Sequence, residues 1–281
     1  MKPRPPTGRR LVDLIVRGWA VISALLGITA LIWILSGVIM RGLGALDLTF
    51  FTSLPTPPGM AGGGLANAIL GTLAMTVAAT LISVPIGLLA GVYLAEFGQE
   101  SRVADNSRFS ANVLMGMPSI IVGVFAYTLV VLPLGHFSGY AGAVALAILM
   151  IPVITRTSED MLRLVPNTLR ESALALGAPR WKVTLAVVFR AAKAGLITGI
   201  LLAVARVSGE TAPLLFTALD TPYWFHSLSG PTPNLMVTIF NYAMSPYDDW
   251  QRLAWGASLV ITVSVLAFTL LARLAVRERK S

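Results

Sequence analysis

Arg206 and Glu210, a guanidinium and a carboxylate, stand four positions apart in the apolar stretch Ala194 to Leu219. Four positions is about one helical turn, so a helix there sets the guanidinium and the carboxylate on one face. A central arginine in such a stretch costs from about 2.5–3.5 to above 10 kcal/mol in a bilayer, and such residues face protein or water. Ser208 and Thr211 add hydroxyls, and Gly209 permits close helix approach. Pro213 lacks the N–H that would bond the Gly209 carbonyl, which weakens the helix beside Glu210. Two readings follow, and both can hold at once: a polar, kinked lining for the passage of a polar solute, or a buried ion pair joining helices.

Other chemistries drop out. There is no cysteine, so disulfides, zinc–thiolate sites and thiol catalysis are excluded. Two histidines without HExxH leave little for a His-based metal site, and without GxxxxGK[ST] the chain does not by itself carry a P-loop ATPase. No catalytic residue is assigned.

Composition indicates what kind of scaffold holds Arg206 and Glu210. Hydrophobic residues make up 56 % of the 281 and charged ones only 12 %, against about a quarter charged in soluble domains. The natural solvent is a bilayer, whose core needs roughly 20 apolar residues per helix. Six spans are expected: Gly18–Met40, Asn67–Ala95 with a kink at Pro85, Ala111–Leu132 with Pro118 near its start, Tyr140–Thr155 ending near Pro152, Ala194–Leu219, and Trp255–Val276. The first is too long, and lacks the cleavage site, for a signal peptide, so it reads as a retained anchor.

Charge orients these spans. Eighteen Lys and Arg fall on one side, in the N-terminal tail, the second-to-third and fourth-to-fifth loops and the C-terminal end; Arg41 and Arg252 fall on the other. By the positive-inside rule both termini are cytoplasmic. The net charge of +8 is thus a topology signal and argues against nucleic acid as a partner. The outer loops Arg41–Ala66 and Asp220–Ala254 are rich in Gly and Pro. The second carries Tyr223, Trp224, Phe225, Tyr242, Tyr247 and Trp250, either an interfacial aromatic belt or a docking surface.

Within the cytoplasmic segment 156–193, Pro166 stops the preceding helix. Thr168-Leu169-Arg170-Glu171 fits a capping box, with Thr168 capping and Glu171 reaching back. Leu169, Ala173 and Leu176 then share one helical face, and Gly177 ends the helix. So short a helix is marginal in water; a partner protein is the simplest thing to hold it.

Glu171-Ser172-Ala173-Leu174-Ala175-Leu176-Gly177 resembles the EAA loop, E-A-A-x3-G, of ABC-importer membrane subunits, whose coupling helix enters a groove of the ATP-binding subunit. In the continuation x9-I-x-L-P, the corresponding positions hold Val187, Phe189 and Arg190, with Arg190 replacing the proline. The string Ala205-Arg206-Val207-Ser208-Gly209-Glu210-Thr211-Ala212-Pro213-Leu214-Leu215-Phe216-Thr217-Ala218 is more specific. With Met117 to Tyr127 it resembles the A-type membrane subunit of the phosphate-specific transport (Pst) ABC importer, over about residues 67–275.

The resemblance implies an all-α, polytopic permease of the type I importer (MetI-like) fold in the bacterial inner membrane. It divides the chain into 1–66, holding the tail, first span and outer loop, and a permease core, 67–281. It implies a C-type permease as heterodimer partner, two ATP-binding subunits that bind and hydrolyse the ATP, a phosphate-binding protein on the outer face, and surrounding lipid. The chain itself would hold no cofactor or metal. Thr168, Leu169, Glu171, Ala173, Leu176 and Gly177 would couple to the ATPase, and Arg206, Glu210, Ser208 and Thr211 would line or gate the path. Arg206 would offer forked donors to an oxyanion, and Glu210 would accept the proton that phosphate keeps and sulfate lacks. Alternatives are the same architecture for molybdate or sulfate, a secondary transporter or channel driven by an ion gradient, and a signalling scaffold.

Overall fold

The computed structural model describes the backbone of residues 6–60, 62–98 and 101–277, and the side chains of 12–60, 62–98 and 101–270. Lys2, Arg4, Arg279 and Lys280, used above for orientation, lie outside the described residues. Every regular element among those described is helical: α1 Pro6–Leu43 and α2 Leu48–Thr52, α3 Ala66–Phe97, α4 Arg102–Gly116, α5 Ser119–Leu134, α6 Gly139–Arg163, α7 Asn167–Ala175, α8 Arg180–Val207, α9 Ala212–Leu215, α10 Leu235–Ala243 and α11 Asp248–Arg277. The last turn of α3 (Tyr93–Phe97), the second half of α5 (Tyr127–Val131) and the first part of α8 (Thr184–Val188) are π-helical.

Among the described residues five helices are long and apolar enough to cross a membrane, and a sixth span exists only if α4 and α5 are taken as one bent unit. That corrects the expected span Ala111–Leu132. Its first residues belong to α4, and α5 departs at 106°. The break is local chemistry: Pro118 disfavours helical backbone in the residue before it, and Met117 sits at φ −72°, ψ 138°. By contrast, α6 runs through Pro152 to Arg163 and α3 stays helical across Pro85. The expected end near Pro152 does not occur: that residue is buried inside α6, and α6 packs on α3 in the most extensive helix pair among the described residues. Packing along the pair outweighs one missing hydrogen bond. Its α3 side is small: Ala79, Ser83, Gly87 and Gly91 are all buried.

Around this pair, α8 packs on α6 and α11, and α1 lies against α11. The main core gathers Met75 and Ala79 of α3, Met150 and Ile154 of α6, Ala203 and Val207 of α8, and Ala257 of α11. The apolar window of α1 is not buried at all within the chain, with Trp19, Trp33 and Ile34 each more than three-fifths exposed. Such a surface belongs in lipid or against another membrane helix. Where an outer loop was expected over Asp220–Ala254, the chain forms α10. Asn234 caps it by accepting from the Val237 N–H at 2.9 Å, and Leu235, Met236 and Val237 are buried against its neighbours.

Candidate functional site

The expected continuous helix Ala194–Leu219 is not what forms. α8 ends at Val207, so Arg206 occupies its last turn and not the middle of a span. Ser208 closes the helix: its N–H and its hydroxyl both bond the Val204 carbonyl, at 3.0 and 2.8 Å. Gly209 and Glu210 follow as tight turns on Arg206 and Val207, and Thr211 opens the four-residue α9. Gly209 is a poor helix former, and Pro213 restarts helix as one of its first residues. The shared helical face expected of Arg206 and Glu210 is therefore lost, and no ion pair joins them among the described residues. Arg206 is exposed beside carbonyls at a helix C-terminus, where a cation is favoured. Glu210, Ser208 and Thr211 are half-buried in the unwound turn.

That turn is seated by α5. Gly123 lies so close to α9 that a Cβ there would stand 2.7 Å from the Pro213 Cα and 3.3 Å from the Ala212 carbonyl. Val122, Gly123 and Ala126 form the buried face of α5. The segments Met117–Tyr127 and Ala205–Ala218 are thus brought into contact, although about ninety residues separate them in sequence. The pair of helix ends and the polar turn between them form the candidate pathway element.

At the far end of α3 lies a second constellation. α7 runs Asn167–Ala175, with Pro166 as its N-cap residue and no side-chain capping bond. The expected capping box does not form: Thr168 sits inside the first turn, where its carbonyl accepts from the Ser172 hydroxyl at 2.7 Å. The C-terminus is as expected. Gly177 holds φ +81°, its N–H bonds the Leu174 carbonyl at 2.9 Å, and the Ala178 N–H reaches the Ala173 carbonyl at 3.3 Å. These two bonds make a Schellman motif, which needs a left-handed residue at that point.

What holds α7 is Arg170. Its Nη2 donates to Glu96 Oε1 at 2.7 Å and to the Leu162 carbonyl at 2.7 Å, while Nη1 donates to the Val165 carbonyl. A partner is not needed to pin the helix. Ala173 faces inward beside Leu162, Val165 and Val188. Leu169 is 45 % and Leu176 89 % exposed, and Glu171 is exposed. The three apolar residues expected on one face are divided: Ala173 packs down, and Leu169 and Leu176 stay open. A groove of about 670 Å³ runs along another face of α7, lined by Glu96, Arg170, Glu171, Leu174, Arg180 and Thr184.

A second ion cluster anchors α4. The Glu159 carboxylate is fully buried and meets Arg108 at 2.7 Å, Arg156 at 2.7 Å and Arg163 at 2.8 Å. Arg108 also binds Asp105 and donates to the Leu94 carbonyl. Sequence reasoning counted these arginines only as topology signals. The spacing Arg156, Glu159, Arg163 on one helix was the available clue; Glu96 with Arg170 had none, being 74 positions apart.

A polytopic helical protein with an unwound polar turn and a small anchored helix beside a groove is the architecture of an importer's membrane subunit. Residues 83–278 match the family described as binding-protein-dependent transport system inner membrane component, and the chain belongs to that family, as a multi-pass inner-membrane protein. It is 49 % identical to the phosphate transport system permease protein PstA of Yersinia pestis, over 92 % of this chain and 88 % of that one. It is 47 % identical to the PstA permease of Haemophilus influenzae, over 97 % and 96 %. Identity with a probable PstA of Methanocaldococcus jannaschii is 36 %, over 90 % of each chain. The fold is also that of a chain of the MetNI methionine ABC transporter in an inward-facing conformation (TM-score 0.63, 21 % identity, 76 % of this chain and 95 % of that one). A chain of a bacterial alginate ABC importer is similar too (TM-score 0.62, 15 % identity, 96 % and 99 %).

Proposed function

We propose that this chain is the A-type permease subunit of an ATP-driven importer of inorganic phosphate. It forms half of the translocation pathway with a C-type permease and rests on two ATP-binding subunits. ATP is bound and hydrolysed by those subunits; this chain is non-catalytic and holds no cofactor. Both termini and α7 face the cytoplasm, as the basic residues around Arg156–Lys193 favour, and a phosphate-binding protein docks on the opposite face.

The observation that carries the reading is α7. It is fixed on one side by Arg170 and Glu96 and leaves Leu169 and Leu176 open on the other. Exposed apolar side chains on a rigid, polar-surfaced element are what a partner's groove buries. Movement of an ATP-binding subunit would be passed through α7 to Leu162 and Val188, and so to α6 and α8.

The unwound turn supplies the pathway chemistry. Arg206 has no carboxylate partner among the described residues, so its forked donors are open to an oxyanion. Glu210 repels a fully ionised oxyanion and accepts a proton from phosphate, which retains one at neutral pH. Glu210→Gln is the test: phosphate uptake falls at least tenfold in a complex that still assembles. Unchanged uptake would remove that role from Glu210.

A further inference from the structure

At the end of the bundle where α3 and α11 begin, a pocket of about 550 Å³ is walled by Pro57, Pro58, Tyr242 and Trp250 and ends on Asn67 and Asp220. Its aromatic wall is rigid: Tyr242 and Trp250 stack at 4.3 Å, and the indole N–H donates to the Thr56 carbonyl at 3.1 Å. Two acceptors line its base. Asp220 accepts from the Thr221 N–H at 2.9 Å and the Thr238 hydroxyl at 3.1 Å, and forms no ion pair among the described residues. Asn67 is 2 % exposed, and its amide nitrogen donates to the Thr221 and Tyr223 carbonyls at 3.1 and 3.2 Å. Those carbonyls fix the amide, because a flip would set oxygen against oxygen. Asn67 Oδ1 is therefore an acceptor, and among the described residues it is the one buried side-chain polar atom without a partner.

The backbone there is built at a cost. Leu219 holds φ +56°, a left-handed conformation that a branched side chain rarely adopts. Asn234 pins it by donating to the Leu219 carbonyl at 2.8 Å. This bend delivers Asp220 to the pocket, where burial pushes its carboxyl up to about 6. Apolar and aromatic walls that lead to a carboxylate and an open amide oxygen suit a long aliphatic stem with a multi-donor cation at its tip. A bare hard cation is a poorer fit, since calcium takes about 6–8 oxygen ligands.

We propose that this pocket receives a lysine or arginine side chain of the extracytoplasmic binding protein, whose cationic head seats against Asp220 and Asn67. The assignment rests on the proposed function, which places this end outside and supplies the partner.

The test uses the whole complex in liposomes, titrated with phosphate-loaded phosphate-binding protein while ATP hydrolysis is followed. Asp220→Asn is expected to raise the half-saturating concentration of binding protein about tenfold or more, with hydrolysis in its absence unchanged. Asp220→Lys should abolish stimulation, and one Lys→Glu or Arg→Glu change on the binding protein should restore it. An unchanged half-saturating concentration in both variants would overturn the pocket assignment alone. Failure of the unaltered complex to respond to phosphate-binding protein would overturn the functional reading and this proposal with it. Stimulation that tracks external Na⁺ or Ca²⁺ and is lost in Asp220→Asn would assign the pocket to an inorganic cation and overturn it too. Should the Asp220 variants fail to assemble, each surface Lys and Arg of the binding protein is changed singly to Gln against the unaltered permease. One of them reproducing the tenfold rise, and as a cysteine cross-linking to Asn241→Cys at the pocket wall, supports the proposal; none doing so contradicts it.

Discussion

The Arg170 guanidinium joins α7 to the last turn of α3, with Nη2 2.7 Å from Glu96 Oε1 and both side chains largely buried. An isolated helix as short as α7 does not persist in water, so this pair, with two carbonyls on the same guanidinium, is what makes the element rigid. Breaking it strands a carboxylate near the protein interior, which costs on the order of 3 kcal/mol. Arg170→Ala is therefore expected to free α7 without unfolding the bundle. In reconstituted complex, ATP hydrolysis should persist while phosphate uptake falls at least tenfold, and amide exchange should rise at Asn167–Ala175. Wild-type uptake with unchanged exchange would refute the anchoring role.

A heavier loss is expected at Glu159, whose buried carboxylate faces Arg108, Arg156 and Arg163. Glu159→Gln keeps the shape and removes the charge, leaving three guanidinium groups together. A loss of about 3–5 kcal/mol is expected, seen as a lower unfolding temperature in detergent and reduced assembly. Replacing exposed Leu176 with Ala should leave that temperature unchanged while weakening co-purification with the ATP-binding subunits.

Gly123 tests the seating of the unwound turn. A side chain there meets the Pro213 backbone at 2.7 Å, so Gly123→Val must push α9 away or shift α5. Overpacking of this kind costs about 1–3 kcal/mol. Uptake should fall sharply, while co-purification through α7 stays intact. Equal uptake would show that the contact between α5 and α9 does not position the pathway.

Asp220 gives a pH signature. Its carboxyl stands at about 6 in the folded chain against an ordinary 3.8, chiefly through burial. The folded state then binds the proton more tightly than the unfolded state. The contribution of Asp220 to stability is greatest below pH 3.8, declines as pH rises toward 6, and carries the full penalty above that. Asp220→Asn should remove this decline and raise stability at neutral pH by on the order of 2–3 kcal/mol. Thermal unfolding of both proteins between pH 4 and 8 measures the difference. Parallel curves would show that burial does not shift this group.

Most of the spans and the boundaries of α7 were legible from residue type alone. Apolar length marks bilayer contact, Pro166 marks a helix boundary, and Gly177 marks a left-handed stop. Continuity was not legible. An apolar run reports the solvent of a segment and is silent on whether its helix is broken, so the break before Pro118 and the end of α8 at Val207 were both missed. The capping box failed for a local reason, since Pro166 took the N-cap position and shifted Thr168 into the first turn. α10 was hidden in an expected loop, although Asn234 ahead of Leu235, Met236 and Val237 is a readable start signal. Arg170 with Glu96, and Asn67 with Thr221, were beyond reach because tertiary packing alone brings them together.

On the proposed function, this chain carries phosphate inward only as part of an ATP-driven assembly. The most direct test is uptake of radiolabelled phosphate into liposomes holding this chain, the second permease and the ATP-binding subunits, with phosphate-binding protein supplied at the outer face. The expected result is uptake that requires ATP, the binding protein and this chain together. Uptake by this chain alone, without ATP, would contradict it.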